Sequence, residues 1–178
     1  VPYDYSTIQS ALDASFDGDS ILVNDGIYIE NLIWPQLDNI TLQSVNGPDS
    51  TIIDGSGDTE SCIYVGNGQK GVVIDGFKIT NGIGSSATFH SSEFGGGIHI
   101  DQFVSATINN CIITENGDST VGPGEIGTYG GGIAIQMHSH AQINNSIISN
   151  NFGKDGSGIY LRALSNNTIT TKLKNCII

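Results

Sequence analysis

Two short motifs alternate along this chain, and their constant order constrains the fold more than any other feature of its 178 residues. The first reads Cys62-Ile63-Tyr64-Val65, Gly97-Ile98-His99-Ile100, Gly132-Ile133-Ala134-Ile135 and Gly158-Ile159-Tyr160-Leu161, with lead isoleucines 35, 35 and 26 residues apart. The second reads Val73-Ile74-Asp75-Gly76-Phe77-Lys78-Ile79, then Thr107-Ile108-Asn109-Asn110-Cys111-Ile112-Ile113. It returns as Gln142-Ile143-Asn144-Asn145-Ser146-Ile147-Ile148 and Lys172-Leu173-Lys174-Asn175-Cys176-Ile177-Ile178. Counted from the lead isoleucine of the first motif to Ile74, Ile108, Ile143 and Leu173, the interval is 11, 10, 10 and 14 residues. Two strand-like segments repeating together describe a coil that closes on itself and stacks on the next. Leucine-rich and ankyrin-type arrays are excluded, because their repeats carry helical segments and these carry only turns.

The fold class read from this pattern is all-β, a parallel β-helix of about five coils forming one domain over residues 1–178. Period-two alternation sends Ile98 and Ile100 inward and His99 and Asp101 outward. Ile108, Cys111 and Ile113 point inward, with Asn110 at a bend. Stacked equivalents form a core ladder of Ile74, Ile108, Ile143 and Leu173, and a turn ladder of Asn110, Asn145 and Asn175. Amides suit such a ladder because each both donates and accepts along the stack. Cys111 and Cys176 share a ladder two coils apart, roughly 10 Å, which is beyond disulfide reach. The three cysteines (Cys62, Cys111 and Cys176) read as small core residues.

At the N-terminal side, Ser6-Thr7-Ile8-Gln9 reads as a capping box ahead of Ile8, Ala11 and Leu12. This predicts a cap helix over about 6–15, ended by Asp17-Gly18-Asp19, that covers the open end of the stack. After Cys176-Ile177-Ile178 no cap is visible. The expectation there is end-to-end self-association or continuation in a longer chain.

The opening Ser6-Thr7-Ile8-Gln9-Ser10-Ala11-Leu12, Gly18-Asp19-Ser20-Ile21-Leu22-Val23 and Gly26-Ile27-Tyr28-Ile29-Glu30-Asn31 resembles the N-terminal segment of the pectin-lyase-like superfamily. The Ile-Asn-Asn-(Cys/Ser)-Ile-Ile segments resemble its generic β-helix repeat. The resemblance implies a right-handed helix of three sheets and a secreted, extracellular or cell-surface setting, and by itself delivers no activity. The partner expected from the loop residues given below is polysaccharide; an enzyme acting on it would be a polysaccharide lyase or a glycoside hydrolase. The paired aspartates and Gly-His-Gly of polygalacturonases are absent, as are the glutamine and aspartate motifs of pectin methylesterases. Pectate lyases use an arginine base beside calcium-binding aspartates, whereas this chain has a single arginine, Arg162, and the match carries no catalytic role onto it.

Charge narrows the partners. With 18 acidic against 6 basic residues the net charge is −12. Such a surface is a poor match for nucleic acid, whose binding needs Lys and Arg, and for anionic membranes. No apolar run reaches membrane-spanning length, so no membrane insertion is expected.

Insertions after the second motif, Ile83 to Phe94, Asp118 to Tyr129 and the shorter Phe152 to Gly156, should build a wall beside a step. They carry Phe89, His90, Glu93, Glu125 and Tyr129, aromatic rings and carboxylates of the kind that hold sugars. The outward files of the first motif lie alongside: Tyr64, His99, Ala134, Tyr160 and then Gly66, Asp101, Gln136, Arg162. Asp101 with His99 is the acid–base pair that coil geometry brings together, and Asp101 with Glu93 or Glu125 would be the carboxylate pair of a glycosidase. His138 and His140 share a face only if their segment is extended, and two histidines make no metal site. No cofactor is expected. Calcium is the one cation that the acidic turns Asp17-Gly18-Asp19 and Asp54-Gly55-Ser56-Gly57-Asp58 would suit, and neither has EF-hand spacing. The other reading of the chain is a non-catalytic adhesin or filament subunit.

Overall fold

The structure, a computed structural model, describes residues 1–86, 93–118, 128–163 and 168–178. Phe89, His90 and Glu125 lie outside the described residues.

Three parallel sheets wrap one core. The first sheet stacks Ser20–Val23, Thr41–Ser44, Val72–Asp75, Ser105–Asn109, His140–Asn144 and Thr170–Lys174. The second stacks Gly26–Ile29, Thr51–Asp54, Lys78–Thr80, Ile112–Thr114 and Ile147–Ser149. The third stacks Leu32–Ile33, Ile63–Val65, Ile98–Ile100, Ile133–Gln136 and Ile159–Arg162. The chain visits them in that order on every coil, so five coils are complete and a sixth has begun.

The ladders read from the sequence are in register. Leu42, Ile74, Ile108, Ile143 and Leu173 pair in turn, as do Ile63, Ile98, Ile133 and Ile159. All but the last member of each are fully buried; Leu173, on the final strand, is 48% exposed. Asn175, Asn145 and Asn110 each donate an amide hydrogen to the coil before, at 3.1 and 3.4 Å, and Asn110 ends the chain on the Asp75 carboxylate at 2.7 Å. All three asparagines sit at φ between 52° and 54°, the left-handed bend that Asn tolerates best after Gly. Cys62, Cys111 and Cys176 are free thiols; the first two are buried and the third is half-buried.

The cap helix is shorter than expected, Ile8–Asp13, and its box is shifted by one residue. Thr7 is the N-cap and Ser10 its partner, in place of Ser6 and Gln9. The reason is tertiary. Gln9 is taken by the edge of the third sheet, where its amide accepts from Ile33 N–H at 2.8 Å and donates to Ile33 C=O at 3.0 Å. Glu30 supplies the helix instead, its two carboxylate oxygens accepting from Ile8 and Gln9 N–H at 2.9 Å each. An anion at a helix N-terminus is favourable, and here it also ties the cap to the first coil.

Just before the third sheet the coils come together on glycine. A Cβ on Gly96 would strike the Gly117 nitrogen and lie 2.6 Å from the Gly131 oxygen. No side chain fits between these backbones.

Candidate functional site

The described ends of the insertions do not stand beside the third sheet: Phe94 and Tyr129 lie over its outer face. Phe94, Tyr129 and Asp155 form a short parallel ladder of their own, continued by Gly95 N–H donating to Tyr129 C=O and Gly130 N–H donating to Asp155 C=O. The Phe94 ring stacks on Tyr129 at 5.3 Å and lies 6.1 Å from Tyr160. With Ala134 these residues make a second apolar cluster outside the core, and the Arg162 guanidinium lies 5.5 Å from the Phe94 ring.

That roof corrects the outward file expected to face solvent. His99, Asp101 and Gln136 do leave the core side of the sheet, but each is 0% exposed. His99 is held edge-on by Tyr64 at 5.2 Å and faced by Phe94 at 5.8 Å. Gln136 Nε2 lies 2.8 Å from His99 Nε2, and no described group meets His99 Nδ1. Burial pushes the imidazole pKa down to about 3, so the ring is neutral across the usual pH range. As placed, neither member of the proposed acid–base pair touches solvent. His138 and His140 also part company. His138 sits in a left-handed turn stacked on Phe103 at 4.9 Å, while His140 Nδ1 accepts from Thr170 N–H at 3.1 Å.

What stays open lies on the N-terminal flank of the roof. Ile33 and Tyr64 are in register on the outer face of the third sheet, just before His99 in the same file. They floor a cleft of about 370 Å³ whose other lining residues are Asn31, Leu32, Asp58, Glu60, Ser61 and Ser85. Ile33 is 64% exposed and Tyr64 half-buried, so an apolar edge and an aromatic ring face the space together. Tyr64 is steered by a missing side chain: a Cβ on Gly66 would collide with its hydroxyl, and glycine leaves that room free. Ser61 N–H donates to Ser85 Oγ at 3.0 Å, and Ser61 Oγ donates to Phe94 C=O at 3.2 Å, fixing the rim against the roof.

Of the residues expected at a site, Tyr64 lines this cleft. Glu93 and Tyr129 belong to the roof, and Tyr160 and Arg162 pack against it. Glu93 is half-buried, and its pKa is raised by burial and by the nearby charges of Asp118 and Glu60. Asn31, Ile33, Asp58, Glu60, Ser61 and Ser85 were not anticipated. Their signal was the length of the connection into the third sheet, short in the first two coils and long in the next two. That step was expected at Phe152, on the opposite flank. The acidic turns are engaged with the backbone: Asp54 accepts from Ser56 N–H, Asp17 from Asp38 N–H and Asp19 from Phe16 N–H. Among the described residues no three His, Cys, Asp or Glu side chains are placed to share a metal, and no helix is long and apolar enough to cross a membrane.

Comparison with known proteins returns one family. No curated protein and no solved structure matches the chain. The family model described as a right handed beta helix region matches residues 25–178, from the second sheet's first strand onward. With three parallel sheets in register and a match over most of its length, the chain belongs to the right-handed β-helix family.

Proposed function

We propose that this chain is a secreted or cell-surface module that binds polysaccharide through the cleft at Ile33 and Tyr64. One observation carries the reading: a half-buried ring and an exposed apolar side chain floor a cleft of about 370 Å³ that is rimmed by amide, hydroxyl and carboxylate groups. Sugars need both. Their C–H faces lie against aromatic and aliphatic surface, and their hydroxyls need donors and acceptors at the edge. Binding without cleavage fits best, because His99 and Asp101 lie under the roof with no exposed surface.

The test is retardation of the protein in gels containing neutral and acidic polysaccharides, run beside Tyr64→Ala and Gly66→Ala. Loss of the ring should weaken binding to the retained glycan about tenfold or more, since buried aromatic anchors dominate such sites. Gly66→Ala should also weaken it, by displacing Tyr64. Retardation unchanged by Tyr64→Ala would remove the site.

A further inference from the structure

We propose that the same cleft selects saccharides bearing protonated amines over neutral and uronate sugars. The inference rests on the saccharide reading of the cleft and adds the charge of the ligand. Two carboxylates, Asp58 and Glu60, line the cleft and both are exposed, while no Lys or Arg lines it. The first basic side chain of the sequence is Lys70, so every residue of the first two coils that borders the cleft is neutral or acidic. In the adjoining roof the Glu93 pKa is raised by burial and by the charges of Asp118 and Glu60. A concave surface with one sign of charge concentrates its field, and here the field is negative. A uronate polymer would meet repulsion at Asp58 and Glu60.

The geometry separates an amine-bearing sugar from a bare cation. Among the described residues no three His, Cys, Asp or Glu side chains are placed to share a metal ion. Separate carboxylates above an apolar floor suit a ligand that brings its own flat C–H surface and carries ammonium groups at its edge. Ile33 and Tyr64 take the ring faces. Asp58 and Glu60 accept charge-assisted hydrogen bonds from the amines. Asn31 Nδ2 is already donated to the carbonyls of Gly55 and Ser61 at 3.0 and 3.1 Å, which leaves its carbonyl oxygen as a further acceptor on the same wall. The accessible rim is thus biased towards acceptors, as a ligand rich in N–H donors requires.

The experiment is calorimetric titration at pH 6 with three short probes: glucosamine oligomers, the same oligomers fully N-acetylated, and galacturonate oligomers of equal length. At that pH free carboxylic acids are ionised and simple amines carry a proton. The wild-type chain should bind the amine form at least tenfold more tightly than the acetylated form, and the uronate least. The double variant Asp58→Asn, Glu60→Gln should bring the amine form down to the level of the acetylated one. Tyr64→Ala should weaken both. Equal binding of amine and acetylated oligomers, each lost in Tyr64→Ala, would overturn the charge preference and leave the saccharide site standing. Amine binding that persists in the double variant would overturn it too, as general attraction to an acidic protein. Absence of binding by all three probes would overturn the preference and count against the saccharide site.

Discussion

Burial sets the chemistry of single residues in this molecule. The Cys62 and Cys111 thiols are pushed up to about 12, chiefly by desolvation, so neither forms the reactive thiolate near neutral pH. A disulfide reagent at pH 8 should therefore modify one thiol per native chain, at the half-buried Cys176, and three after denaturation. Rapid reaction of two or more native thiols would contradict the buried ladder. His99 acts in the other direction. Its folded pKa, about 3, lies below the ordinary 6.5, so below pH 6.5 the unfolded chain takes up a proton that the folded chain excludes. Stability contributed by neutral His99 is complete above pH 6.5 and is lost as pH falls towards 3. By pH 5 the loss should reach about 2 kcal/mol. Urea midpoints of the wild type and of His99→Gln, compared between pH 7 and pH 4.5, should converge as the pH falls; a constant difference would refute the assignment.

At the scale of elements, the stack depends on where side chains are missing. Gly96 and Gly47 offer a clean contrast. An Ala at Gly96 would drive a methyl into backbone atoms of Gly117 and Gly131 in the next coil and of Gly82 in its own, none of which can turn away. At Gly47 nothing lies within 4 Å, and the only cost is its φ of +88°. Gly47→Ala should cost about 1 kcal/mol from left-handed strain, and Gly96→Ala several times more or failure to fold. Denaturant titration of the two variants checks this; similar losses would show that the coils can separate at Gly96. The hydrogen-bonded amides of Asn175, Asn145 and Asn110 work by the opposite principle, a repeated side chain that bonds to its own copy one coil away.

Across the whole molecule, charge is distributed along the axis. Residues 1–60 hold 11 of the 18 acidic side chains and none of the six Lys and Arg. Lys154, Arg162, Lys172 and Lys174 gather in the last coils. Self-repulsion at the N-terminal end is screened once the Debye length shrinks, from about 30 Å at 0.01 M salt to about 8 Å at 0.15 M. The melting temperature should rise by a few degrees over that range. A fall would mean that attraction between the two ends outweighs repulsion within the first.

The sequence by itself determined the parallel coil, its approximate count, the isoleucine and asparagine ladders and the unpaired cysteines. Each of these is a repeat, and a repeat becomes a contact as soon as copies stack 4.8 Å apart. The family match over residues 25–178 rests on the same periodicity. The site was less legible. Alternation told which face His99, Asp101 and Gln136 take, but not that Phe94 and Tyr129 fold down over that face. The roof is made by Phe94 and Tyr129, at the described ends of the non-repeating insertions, beside the close backbone approach of Gly82, Gly96 and Gly131. The cleft at Ile33, Glu60 and Tyr64 arises where that roof stops, between residues about 30 apart in sequence. Only the tertiary structure brings them together, because periodicity says which residues stack and nothing about where an interruption of the period comes to lie.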